Sequence, residues 1–207
     1  MKIIEVLEIK PVKNKYINIY LIRAGVLNQD LLDNINNILK YEKFRFAIID
    51  FNDIQSKKQY ETPLHLFLKK FKIPYYSVDI PQHVRDHLCV EILEKELLIN
   101  ELENEYEDLI SDPEQEKSFK AQNLHSWISL LKQEVKDKKD YLRLTLKPQW
   151  IVKKVLDIVK MIKNDRFSIM HFTHGEIFTE LKELFEEYNI KVTKFDINKK
   201  NLKTILI

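Results

Sequence analysis

Phe44–Phe51, FRFAIIDF, decides how the rest of this chain is read. Its middle is continuously apolar, the pattern of a strand buried on both faces of a parallel sheet. It stops at Asp50, a residue type that ends strands and opens turns. Working outward, the chain alternates. Upstream, Gln29–Tyr41 places Leu31, Leu32, Ile35 and Ile38 on one helical face, with Asn28 as N-cap. Before it, Ile17–Ala24 (INIYLIRA) and Lys2–Ile9 read as strands joined by a short connection with Pro11 and Asn14. Downstream, Thr62–Pro63 opens a helix that runs to about Phe71, and Pro74–Val78 is the next strand, ending at Asp79.

Past Pro81 the rhythm changes. Gln82–Ser111 holds about eight turns of helix without glycine or proline, with Leu88, Leu102 and Leu109 on one heptad row and Ile92, Ile99 and Tyr106 on the next. Asp112-Pro113-Glu114-Gln115 reads as a fresh helix start. The helix that follows reaches Lys139, with Leu124, Ile128, Leu131 and Val135 as its seam. Glu91–Glu116 holds eleven acids and one base, whereas Lys117–Lys139 holds six bases and two acids, so an antiparallel hairpin would set opposite charges face to face. The alternation then resumes: a helix from Pro148 to about Lys163, a strand Phe167–Phe172 (FSIMHF), a helix Ile177–Tyr188, a strand Lys191–Ile197, and Leu202–Ile207 pairing back on it.

This order predicts an α/β fold, a mostly parallel open sheet of five to seven strands with helices on both faces and an inserted long helical hairpin. The arrangement is similar in topology to the broad Rossmann-like class, a likeness that carries no motif and implies no chemistry. The expected division is a sheet domain, 1–80 with 148–207, and a hairpin, 81–147.

Composition narrows the function classes. A chain of 207 residues with 44% hydrophobic and 32% charged residues can build a full core. A net charge of +2 argues for neither nucleic acid nor membrane. Lysines interleaved with Trp127, Tyr141 and Trp150 suggest a nucleic-acid contact only weakly, because those aromatics fall at core spacing. The single cysteine, Cys89, excludes an internal disulfide and fits a reducing, cytoplasmic setting. The N-terminus lacks the apolar run of a signal peptide, and no run is long enough to cross a bilayer. With two glycines, Gly25 and Gly175, no phosphate-cradling glycine loop can be written.

Ligands of an open parallel sheet bind outside the carboxyl ends of the strands. That edge should display Arg23, Asp50, Asn52, Asp53, Asp79 and His83, then His171, Thr173 and His174, and finally Asp196. Converging carboxylates hold a hard divalent cation, and a bound cation can activate water against a phosphoester. Over six residues, IIDFND is similar to the strand end Asp-x-Asn of PIN-like ribonucleases, carried here by Asp50 and Asn52. The match falls in the third strand of this chain rather than near its start, and no family is assigned on it.

Each residue also has a plainer reading. Aspartate caps turns after strands. His83, His87 and Glu91 share one helix face at the spacing of a transition-metal chelate, which is equally the spacing of a solvated face. His171 suits a core histidine, and Thr173 and Glu176 suit a helix capping box. No Ser/His/Asp arrangement is present.

Two functions follow as expectations. The favoured one is a non-enzymatic interaction or oligomerisation module, acting through the hairpin on a second copy or another protein. The alternative is a divalent-metal-dependent phosphoester hydrolase, with Asp50, Asp53, Asp79 and His83 holding magnesium, manganese or zinc and His171 or His174 as acid–base.

Overall fold

The computed structural model describes residues 15–23, 29–50 and 63–195. The segments expected as strands at Lys2–Ile9 and Leu202–Ile207 lie outside them, as do Asn52, Asp53 and Asp196. The chain divides into two compact units, residues 1–79 with 146–207, and residues 80–145.

The first unit is a five-stranded sheet built from β1 (Tyr16–Arg23), β2 (Phe44–Ile49), β3 (Tyr75–Ser77), β4 (Arg166–Thr173) and β5 (Lys191–Phe195), in the order β3-β2-β4-β1-β5. Every neighbouring pair is parallel. Its helices are α1 (Gln29–Leu39), α2 (Pro63–Lys70), α5 (Lys147–Met161) and α6 (Phe178–Glu187).

Strand parity assigns the helices to faces. Ile22, Ala47, Ile49, Met170 and Phe172 bury one face against Ile35 of α1 and Leu64, Phe67 and Leu68 of α2. Alternate residues, including Leu21, Ile48 and His171, turn to the other face, where the His171 ring meets Phe185 of α6 edge-on at 5.9 Å and α5 packs beside α6. This is what right-handed crossovers demand. Connections moving toward the β3 edge put their helices on one face, and connections moving back put theirs on the other. Apolar residues on both sides are why FRFAIIDF lacks polar alternation.

The second unit holds α3 (Gln82–Ile110) and α4 (Phe119–Asp140). They run antiparallel, as the ion pairs Glu91–Lys138, Lys95–Glu134, Glu96–Lys139, Glu103–Lys132 and Glu105–Lys120 require. Ile92, Ile99 and Leu102 interleave with Leu124, Ile128, Leu131 and Val135.

Two local expectations are corrected. Asp112-Pro113 does not start α4. Asp112 accepts from the Glu114 amide at 3.0 Å in a turn, and the helix begins seven residues after Asp112, where the Ser118 hydroxyl accepts from the Ala121 amide at 3.1 Å. The expectation at Pro148 holds: after six π-helical residues, Tyr141–Leu146, α5 begins at Lys147 with Pro148 in its first turn, where a missing N–H costs no helical hydrogen bond. Finally, Thr173-His174-Gly175-Glu176 is not a capping box: β4 runs through Thr173, whose hydroxyl caps nothing, and a short 3-10 turn, Gly175–Ile177, precedes α6.

Candidate functional site at the carboxyl edge of the sheet

Because all five strands run the same way, their carboxyl ends share one edge. Register places the residues there. Arg23 pairs level with Thr173, and Ile49 pairs with Phe172, so Asp50 stands one step further along, level with Thr173. The Asp50 amide donates to the Phe172 carbonyl at 3.3 Å, extending the ladder by one residue. Asp50, Thr173 and Arg23 therefore form a row across β2, β4 and β1. By parity they project from the sheet face that carries His171, two residues before Thr173.

The row has a definite position in the topology. β4 is followed by a helix on one face, and its neighbours β2 and β1 are followed by helices on the other. Such switch points open the crevice in which α/β sheets bind ligands. Here a switch lies on each side of Thr173.

Asp50 and His171 are both fully buried, and His171 Nε2 stands 2.9 Å from Asp50 Oδ2. With the carboxylate ionised, Nε2 is the donor, which fixes the tautomer and leaves Nδ1 as the acceptor of a neutral ring. Arg23 donates from Nη2 to the Gly175 carbonyl at 3.0 Å, and its guanidinium lies 5.3 Å from the centre of the Phe178 ring. Gly175 permits that approach, since a Cβ there would sit 3.2 Å from Arg23 Nε.

Four atoms of this cluster are buried without a hydrogen-bond partner among the described residues: Asp50 Oδ1, His171 Nδ1, Thr173 Oγ1 and Arg23 Nε. Each such group costs about 1–3 kcal/mol relative to a satisfied one, and native proteins carry few. Their concentration on one sheet face at a switch point is the most distinctive feature of the unit.

The other residues singled out from sequence fall elsewhere. Asp79 follows β3, and its nearly buried carboxylate lies 3.5 Å from the Lys147 ammonium. His174 is exposed. His83, His87 and Glu91 are exposed on α3, in the second unit. The structure thus brings Asp50 and His171 together and gives Asp79 a basic partner. Among the described residues no three His, Cys, Asp or Glu side chains converge as a metal site requires. The sequence places Thr173 at this edge but reads its hydroxyl as a helix cap. The signal it lacked was the length of β4, which keeps that residue in the sheet.

Burial, then the Glu42 carboxylate, pushes the Tyr20 phenol above its usual range, while Glu42 accepts from Tyr20 at 3.4 Å and from Ser168 at 2.6 Å. Burial holds His65 below the usual histidine range. On α3, the Lys138 ammonium holds the exposed Glu91 below the usual carboxylate range.

The second unit carries an exposed apolar stripe. Val90, Leu93 and Leu97 are 47%, 55% and 64% exposed. Each precedes a seam position, Ile92, Lys95 or Ile99, by two residues, which is roughly 200° around a helix. They therefore form a stripe on the side of α3 turned away from α4. Glu94 and Glu101 border it and make no ion pair among the described residues. On α4, by contrast, Lys120, Lys132, Lys138 and Lys139 are all engaged by α3 carboxylates.

No helix among the described residues is long and apolar enough to cross a membrane. No family model, curated protein or solved structure matches this chain.

Proposed function

We propose that the protein is a non-enzymatic interaction module, a Rossmann-like sheet bearing a helical hairpin whose acidic helix docks a basic amphipathic helix of another protein in the cytoplasm. The observation that carries this reading is the stripe Val90–Leu93–Leu97. The inner seam of α3 is already filled by α4, so it needs no partner. The outer stripe repeats helix-compatible spacing and stays exposed. A third helix laid along it would bury apolar area worth about 25 cal/mol per Å², in the helix-recognition mode that reads anchors spaced three and four apart. Glu94 and Glu101 select the charge of the occupant, because a second acidic α3 would bring like charges together and a basic helix would not.

This reading is favoured over a metal-dependent phosphoester hydrolase at the sheet edge. There Asp50 is engaged by His171 and Asp79 by Lys147, and Arg23 adds a cation to the same row. It is likewise favoured over nucleic-acid binding, since four of the five α4 lysines already face carboxylates.

The test is a titration of the full chain with a fluorescent lysine–leucine amphipathic peptide, using a glutamate–leucine peptide of the same spacing as control. The expected result is saturable binding of the basic peptide alone, weakened by salt and lost in L93E/L97E. Equal binding by wild type and variant, or none by either, would end the proposal. Self-association abolished by L93E/L97E would instead name a second copy as the occupant.

A further inference from the structure

We infer that the row Asp50–Thr173–Arg23 is a binding site for a small, uncharged, planar ligand that presents hydrogen-bond donors and acceptors along one edge, as an amide or a nucleobase does. The inference is independent of any partner on α3.

The chemistry follows from the unpartnered atoms. Arg23 Nε can only donate, Asp50 Oδ1 in its ionised form can only accept, and the Thr173 hydroxyl does either. A ligand that satisfies all three must itself both accept and donate. The formal charges of Arg23 and Asp50 cancel, so the row has no net preference for an ion. A phosphate would meet the Asp50 carboxylate, and this chain has no glycine loop to supply compensating amides. A metal cation would meet the Arg23 guanidinium.

Size gives a second argument. Neighbouring strands stand roughly 4.8 Å apart, so a row across three strands spans roughly 10 Å, the width of a ring system. Position gives a third. Asp50 and Thr173 are fully buried, yet the row lies close beneath the surface: His174, next along the chain, is exposed, and Arg23 and Gly175 are half-buried. His171 has a positioning role here. By holding Oδ2 of Asp50 at 2.9 Å it leaves Oδ1 as the one carboxylate oxygen available.

The experiment is calorimetric titration of the full chain with adenosine, guanosine, cytidine, uridine and nicotinamide, with inorganic phosphate and magnesium chloride as charged controls. Saturable binding of at least one neutral compound is expected, with neither control binding. Thr173→Val keeps the side-chain shape and removes only the hydroxyl. It should weaken that binding tenfold or more while the ligand-free protein melts no lower than wild type. A hydroxyl with a purely structural role would give the reverse, a lower melting temperature and unchanged affinity. Arg23→Lys, which keeps the charge and moves the donor, should weaken binding as well. Failure of all five neutral compounds, binding of phosphate or magnesium in their place, or unchanged affinity in both variants would overturn the inference.

Discussion

Replacing His171 by leucine tests the central physical claim about the sheet unit. The substitution removes the imidazole that meets Asp50 at 2.9 Å and leaves a side chain that can still pack against Phe185. Asp50 then stays fully buried with neither carboxylate oxygen partnered among the described residues. Leaving a buried charge without its one partner costs about 3–5 kcal/mol, against a total stability of about 5–15 kcal/mol for a domain. Adding Asp50→Asn converts the stranded charge into a neutral amide, whose penalty is about 1–3 kcal/mol. The double variant D50N/H171L should therefore be about 2 kcal/mol more stable than H171L alone. Urea unfolding measures this, and the two tryptophans make the readout specific. Trp127 lies on α4 and Trp150 on α5, one in each compact unit. In a W127F background, fluorescence follows the sheet unit only. A cost below about 1 kcal/mol for H171L, or a double variant less stable than the single, would refute the claim that Asp50 depends on His171 for its burial.

Further outcomes follow from the same geometry. Ile99→Ala opens a cavity in the α3–α4 seam and should cost about 2–3 kcal/mol, the lower part of the usual range because the seam is only two helices thick; Trp127 fluorescence during urea unfolding checks it. Glu91→Gln removes one exposed ion pair with Lys138 and should leave that unfolding midpoint nearly unchanged, since such pairs contribute little. His65, held below its usual range by burial, contributes stability that is present above the unfolded value of 6.5 and lost as pH falls through the lower folded value. The urea midpoint should drop as pH falls from 6.5 to that lower value and level off below it, and His65→Phe should flatten the drop. Gly175→Ala requires Arg23 to shift by a few tenths of an ångström, so it should fold with a near-native melting temperature while weakening any ligand held by Arg23.

Much of the architecture was legible because it rests on local patterning. Uninterrupted apolar strands such as FRFAIIDF need cover on both faces, and their alternation with amphipathic helices leaves parallel pairing as the economical solution. The parallel sheet and its common carboxyl edge follow from that logic. Element starts were less legible. Asp112-Pro113 carries a helix-start signature yet forms a turn, and Ser118, six residues before the first seam residue Leu124, caps the helix instead.

The candidate site divides along the same line. Residue types alone placed Asp50, His171 and Arg23 near one edge, since every strand end there bears a polar side chain. That Asp50 and His171 share a hydrogen bond depends on β2 lying beside β4, an adjacency of residues 121 apart in the chain that no local pattern encodes. Thr173 is a similar case. Its neighbours made it look like a cap, and only the full length of β4, fixed by pairing with β1, keeps it in the sheet and buried.

What the sequence alone determined is which faces are apolar and in what order strands and helices come, because those depend on periodicities of two and 3.6 residues. What only tertiary structure decided is which strands become neighbours, and so which polar atoms are buried without partners. Burial and pairing are properties of surroundings assembled from distant segments, and Asp50, Thr173 and Arg23 acquire their shared chemistry only when three separate strands lie side by side.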